Sequence, residues 1–382
     1  MRLADLDLTG TFALDGRVAP ALAALPPAPM PVDLSEDLFA FPPPAPAPAV
    51  ITASTPITPP RAPLPAMSEA ATTDLTEASD ALARLPGVGD VIDKYRIDAE
   101  LGRGGFAVVY RATHLLMQTT VALKLLFPWM LQRHPDLADQ LCEEARFTSL
   151  VDHPNVVRVA DVTSTPEATF IVMEYIDGPS LARTIARKPM ASGNVIKVGI
   201  HIANGLKAAL AQGLVHRDIK PGNILLARTG HPKIVDFGLA RHHGISPTDS
   251  GTRIAGTPAY IAPEQARDPA SADFRADIYA LGATLYHAAV GHPPFTGADP
   301  INLINQHLTQ VPPHPVLQNP GFDPGLGELL MDMLEKDPAR RPATYDDLIG
   351  RLMALHRRTH PPTPAPEATR NFMHRMRGLF RE

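Results

Sequence analysis

Between residues 20 and 65 the chain reads PALAALPPAPMPVDLSEDLFAFPPPAPAPAVITASTPITPPRAPLP. Proline at this density removes amide donors and blocks both helix and sheet. Such a segment cannot bury enough apolar surface to offset the entropy of ordering it. Residues 1–92 are therefore expected to form a disordered Pro/Ala-rich arm, extended in part as polyproline II. Whatever folds must fold after it. From YRIDAELGRGGFAVVYRATH onward, apolar alternation, turn glycines and then helical stripes continue to about His356, and PPTPAP at 361–366 closes the block. The expected organisation is an arm, one domain over residues 93–356 and a tail over 357–382.

Charge and cysteine content narrow the setting. The net charge of −5 gives no global basic field, so nucleic acid is not an expected partner. The single cysteine, Cys142, cannot form an internal disulfide. No apolar run is long enough for a spanning helix, and MRLADLDLTG places acids where a signal peptide needs an apolar stretch. Cytoplasmic residence is the expectation.

The front of the domain is strand-rich. YRIDAEL, AVVYRATH, TTVALKLL and ATFIVMEYI alternate and favour β-branched and aromatic residues. Between the last two, PDLADQLCEEARFTSLVDH carries apolar residues at helical spacing. After Ser180 the chain reads mainly as helices and loops. A small sheet lobe before a larger helical lobe is an α+β arrangement with a cleft between the two, and such clefts bind ligands.

Several polar features line up along that cleft. LGRGGFAVVY joins two strands with Gly102, Gly104 and Gly105, where backbone amides can approach a phosphate without a Cβ in the way. An ordinary glycine hairpin reads equally well. Lys124 ends VALK inside an apolar strand, where a lysine is costly unless paired; a snorkelling edge lysine is the alternative. Glu144 on the following helix is its natural partner. HRDIKPGN, residues 216–223, gathers two cations, an acid, an amide and an imidazole between apolar runs. DFG, Asp236 to Gly238, follows the strand-like PKIV, and an acid there could also be a turn former.

Taken in order, with GTPAYIAPE at 256–264, these motifs resemble the eukaryotic-like Ser/Thr protein kinase family in its bacterial form. The resemblance runs from about Tyr95 to Leu355. It implies a bilobal kinase fold, with an N-lobe over 93–173, a hinge over 174–179 and a C-lobe over 180–356. It implies ATP and Mg2+, with Mn2+ as a substitute, and phosphoryl transfer to Ser/Thr hydroxyls of proteins. Asp218 would orient the acceptor hydroxyl and take its proton, and Lys220 would steady the γ-phosphate. Asn223 and Asp236 would hold metal, and Lys124 would touch the phosphates and pair with Glu144. Glu144 is preferred to Glu143 by its distance from His153 in DHPN.

The same resemblance implies that ATP lies under the loop of Leu101, Gly102, Arg103, Gly104, Gly105, Phe106, Ala107, Val108 and Val109. Leu101, Val109 and Ala122 would roof the adenine and Leu225 would floor it. The hinge at Glu174–Ile176 would supply backbone hydrogen bonds, with Met173 as gatekeeper. His216, Arg217, Phe237, Gly238, Thr257, Glu264, Asp277 and Arg341 would be scaffold: Glu264 paired with Arg341, Asp277 capping catalytic-loop amides, and Thr257 near Asp218 and Lys220. Lys220, two residues after the acid, is the Ser/Thr-type pattern. Thr252 and Ser250 are the expected regulatory phosphosites, answering to Arg217.

Ala107 stands at the loop's third glycine position, which narrows the approach by one methyl without forbidding it. A pseudokinase scaffold would lack one of Lys124, Asp218, Asn223 or Asp236, and none is missing. A small-molecule kinase would lack GTPAY and APE. The arm carries Thr9, Thr11, Thr72, Thr73 and Thr76 near acids, candidate sites for autophosphorylation and for a phosphothreonine-binding partner; a passive spacer is the alternative. Dimerisation would serve phosphorylation in trans. In ATRNFMHRMRGLFRE, the residues Phe372, Met373, Met376, Leu379 and Phe380 fall on one helical face, a basic amphipathic element suited to a membrane surface or to protein docking.

Overall fold

The computed structural model describes residues 85–165, 168–237, 258–269 and 272–359. The first part is an antiparallel sheet in the order β1-β2-β3-β4-β6-β5. Its strands are β1 Val91–Ile92, β2 Tyr95–Arg103, β3 Ala107–His114, β4 Thr120–Leu126, β5 Val159–Ser164 and β6 Thr169–Glu174. The runs in β4 and β6 are buried almost end to end, which is why they read as continuous apolar segments rather than as alternation. Helix α1, Pro128–Arg133, and helix α2, Asp136–Ser149, lie between β4 and β5 in the chain. Helix α2 buries Leu137, Leu141, Ala145 and Thr148, the stripe at helical spacing.

The second part is helical, with α3 Leu181–Ile185, α4 Ser192–Ala211, α5 Pro263–Arg267, α6 Phe274–Val290, α7 Pro300–Thr309, α8 Pro315–Gln318, α9 Pro324–Met333 and α10 Tyr345–Thr359. A short hairpin, β7 Ile224–Leu226 and β8 Pro232–Ile234, lies on the cleft side. Helices α4 and α6 are buried on most of their circumference, so they form the centre of the lobe. Prolines outside the arm have positional meaning here. Pro128, Pro263, Pro300, Pro315 and Pro324 each open a helix, where a missing N–H costs nothing. Asp273, Asp299 and Asp323 accept backbone N–H groups at the starts of α6, α7 and α9.

The structure departs from the sequence reading in three places. Residues 85–92 belong to the fold and not to the arm: β1 pairs with β2, Leu85 packs on the sheet core and Tyr110 Oη donates to Pro86 O at 2.9 Å. The segment around Phe127–Pro135 adds a helix, α1, ahead of the one read from PDLADQLCEEARFTSLVDH, because Pro128 opens α1 and Pro135 caps α2. Strand β5 had no clear signal, since its VADVTS is polar and only half-buried. The expectations for the arm before residue 85 and for the tail after residue 359 lie outside the described residues.

Candidate active site

The loop His216–Asn223 is held by α6. Arg217 has φ 62, a left-handed conformation unusual for a residue with a Cβ, so it needs outside support. Asp277, only 1% exposed, accepts from His216 N at 2.7 Å and from Arg217 N at 2.6 Å. Gln265 Nε2 donates to Arg217 O at 2.8 Å. The backbone bend is therefore fixed from two helices. His216 Nδ1 accepts from Asp218 N, and Nε2 donates to Val235 O at 3.1 Å, which fixes the Nε2–H tautomer. The His216 ring lies 4.7 Å from that of Phe237.

That frame presents Asp218. Its Oδ2 accepts from Lys220 Nζ at 2.8 Å and from Asn223 Nδ2 at 3.0 Å, and its backbone O accepts from Asn223 Nδ2 at 2.9 Å. All these side-chain bonds meet at one carboxylate oxygen, which leaves Oδ1 to accept a further proton. Using its amide nitrogen on Asp218 leaves Asn223 its Oδ1 as a free hard donor. Asp236, on the other side, contributes carboxylate oxygens from a second left-handed position, φ 60. One carboxylate and one amide oxygen fit a hard divalent cation that takes its remaining ligands from phosphate and water. Among the described residues no group of three or more His, Cys, Asp or Glu could hold a metal alone.

Lys124, from β4, donates to Asp236 Oδ1 at 2.7 Å. Burial disfavours its ammonium, but Asp236 and then Glu144 outweigh that, and its pKa is raised. Burial likewise works against the Asp236 carboxylate, and Lys124, His216 and Lys220 overcome it, so its pKa is lowered. The expected pairing of Lys124 with Glu144 is not formed. One ammonium faces two acids, and it bonds the one from the far lobe. Glu144 Oε2 is enclosed with no hydrogen-bond partner. Burial pushes the Glu144 pKa up to about 8; Lys124 draws it down and Asp236 adds to the rise.

This acid gives a test. A folded pKa of about 8, against an ordinary 4.5, means stability present below the ordinary value and lost as pH rises through about 8. The nucleotide-free protein should melt at lower temperature at pH 9 than at pH 6, and Glu144→Gln should flatten that slope. Parallel melting curves for the two proteins would show that Glu144 is not held neutral.

The cleft has a volume of about 1030 Å³. Leu101, Gly102, Val109 and Ala122 line it from the sheet and Leu225 from below. Met173, Glu174 and Ile176 line the hinge. Glu174 N donates to Arg158 O, so a hydrogen bond from Glu174 to a base must use its carbonyl. Other residues expected at the nucleotide face elsewhere. Ala107 and Val108 are buried in the sheet core; Val108 points away because its neighbour Val109 takes the cleft face. Phe106 packs against the same core, Arg103 pairs with Glu100 at 2.7 Å, and neither lines the cavity. Gly104 N is taken by Ala107 O at 2.8 Å, and Gly105 does not line the cavity. Val157, Gly222, Val235, Arg183 and Arg187 also line it and carried no sequence signal.

In the helical lobe, Glu264 receives a two-pronged contact from Arg341, with Nη1 to Oε1 at 2.6 Å and Nη2 to Oε2 at 2.8 Å. Gly238, Ser250, Thr252 and Thr257 lie outside the described residues.

The chain matches the family described as protein kinase domain over residues 95–350. It is 34% identical over 297 residues to a serine/threonine-protein kinase of Myxococcus xanthus, pkn3, covering 73% of this chain and 53% of that protein. It is 34% identical over 280 residues to the serine/threonine-protein kinase PknB of Mycobacterium tuberculosis, covering 71% of this chain and 44% of that one. The chain thus spans about half the length of the curated relatives it matches. Among solved structures, the PknI kinase domain of Mycobacterium tuberculosis superposes with a TM-score of 0.56 at 24% identity, over 71% of this chain and 99% of that one. The apo form of PpkA-294 gives 0.61 at 23% identity with the same coverage. These two likenesses concern the fold: a curled sheet lobe joined to a helical lobe.

Proposed function

The chain belongs to the protein kinase domain family, and from that premise we propose that it transfers the γ-phosphate of ATP to serine or threonine hydroxyls of proteins. The observation that carries this is Asp218, fixed through one carboxylate oxygen by Lys220 and Asn223 and near enough to act on the charge of Lys124, which bonds Asp236. In the transfer, the acceptor oxygen forms a bond to the γ-phosphorus as the bond to the bridging oxygen of ADP breaks. Asp218 takes the hydroxyl proton, and Lys220 and Lys124 offset charge on the phosphate oxygens. Mg2+ is the proposed metal, held by Asn223 Oδ1 and Asp236, and when bound it neutralises phosphate charge. Signalling from the cytoplasm is part of the same reading. The test is incubation of the full chain with radiolabelled ATP, alone and with one basic and one acidic protein acceptor. Label on serine or threonine is expected, and its absence with every acceptor and on the chain itself would overturn the reading.

Regulation through the segment after Phe237 belongs to this proposal. Arg217 Nε is buried with no partner, and its Nη2 donates only to Ala272 O at 3.2 Å, so the guanidinium lacks an acid among the described residues. A phosphate of about −1.5 to −2 charge would satisfy it. Autophosphorylation on Thr252 or Ser250 is the expected result of mass spectrometry on active protein. Finding no phosphate between residues 241 and 257 would count against it.

A further inference from the structure

The nucleotide cleft continues past the hinge to a rim that ATP chemistry does not use. Its volume of about 1030 Å³ stands at the top of the range for single-ligand pockets, about 300–1,000 Å³, so a nucleotide leaves room. The outer part is lined by Ser180, Arg183 and Arg187 from the start of α3 and its end, by Arg228 after β7, and by Gly222 of the catalytic loop. Arg228 is neutralised by Asp177 at 3.4 Å. Arg183 and Arg187 are exposed and have no acid partner among the described residues. Arg183 lies in α3 and Arg187 two residues beyond its end, in a turn closed by Arg187 N donating to Thr184 O, and both line the same cavity. Gly222 lies next to Asn223, which bonds Asp218, and a side chain there would meet nothing within 4 Å. The rim is thus open and carries these two arginines, and Gly222 places it four residues along the chain from Asp218.

We propose that Arg183 and Arg187 select acceptor peptides in which the serine or threonine is flanked by aspartate or glutamate. This rests on the protein kinase reading above and names its substrate class. The chain itself carries such a sequence, SEAATTDLTEASD at 68–80, with Thr72, Thr73 and Thr76 among Glu69, Asp74, Glu77 and Asp80. A second copy of this chain is therefore one acceptor of the right charge. Two exposed arginines add attraction for such a peptide without altering the transfer step, and the attraction is screened by salt.

The test uses the full-length protein and three peptides of residues 68–82: the natural one, one with its four acids replaced by Asn and Gln, and one with them replaced by lysine. The expected kcat/KM falls by about tenfold from the acidic to the lysine peptide, the scale for two exposed ion pairs, with the neutral peptide between. That spread should shrink as ionic strength rises from low salt to about 0.5 M. In Arg183→Glu/Arg187→Glu the order should reverse, through KM for peptide rather than KM for ATP. Equal use of the three peptides by the wild-type protein, a preference indifferent to salt, or one unchanged in the double variant would overturn the inference. So would a variant whose loss lies in KM for ATP, because the arginines would then serve the nucleotide. Autophosphorylation is read in the same tubes. If it persists while peptide selectivity is absent, only the inference falls; if nothing is labelled, the kinase reading falls with it.

Discussion

Asp218→Asn lowers phosphoryl transfer by at least about 10²-fold, the scale for removing a positioned general base, while leaving the fold nearly unchanged. Asparagine is almost isosteric and its Oδ1 can still accept from Lys220 and Asn223, so the hydrogen bonds that fix the loop survive. What is lost is the proton acceptor. The support from Asp277 to His216 and Arg217 lies on the backbone and is untouched. Lys124→Met removes a charge that contacts phosphate and should fall on the same scale. It also strips Asp236 of its 2.7 Å partner. The measurement is steady-state transfer by purified protein at saturating ATP, with the melting temperature recorded alongside. Wild-type turnover in either variant would remove the residue from the mechanism.

The largest expected loss of stability comes from Glu264→Gln. The Arg341 side chain is 0% exposed and Glu264 15%, so the pair sits in a low-dielectric interior. Arg341 also donates to Glu335 O at 2.8 Å and to Arg275 O at 2.7 Å, and lies 4.9 Å from the centre of the Tyr279 ring. These carbonyls and the ring position the guanidinium but do not neutralise it. Breaking a buried pair by removing one partner leaves an uncompensated charge and costs about 3–5 kcal/mol. In a domain of this size that lowers the melting temperature by on the order of 10 °C. The contrast is the pair of Lys207 with Asp346, whose side chains are 49% and 72% exposed. Asp346→Asn should change stability by less than about 1 kcal/mol. Equal, small shifts for both variants would mean that Arg341 is satisfied by its carbonyls alone.

The family motifs were legible because each is local. A glycine turn between strands, an acid with a lysine and an amide a few residues away, and an acid after a strand are patterns of residue type at short spacing. The lobes were legible for a related reason: α2, α4 and α6 bury long apolar stripes, and β4 and β6 are apolar throughout. Where burial was slight the signal was slight too. Strand β1 is two residues long and β5 is half polar, so pairing with a neighbour, rather than their own composition, makes them strands.

Tertiary structure decided the contacts between distant residues. The partner of Lys124 is 112 residues away on the other lobe, and the choice of Asp236 over Glu144 depends on where α2 stands relative to the segment after β8. The carboxylate that holds the catalytic loop, Asp277, is about 60 residues downstream in the first turn of an apolar helix; the family resemblance implied the contact, but only the packed fold brings it to His216 N and Arg217 N. Arg183 and Arg187 read as ordinary surface charges of a short helix until the fold sets that helix at the mouth of the cleft. The physical reason is range. Backbone propensity and burial periodicity act over a few residues and are written into the chain, whereas the choice among charged partners is a Coulombic comparison of distances that exists only after the lobes have packed.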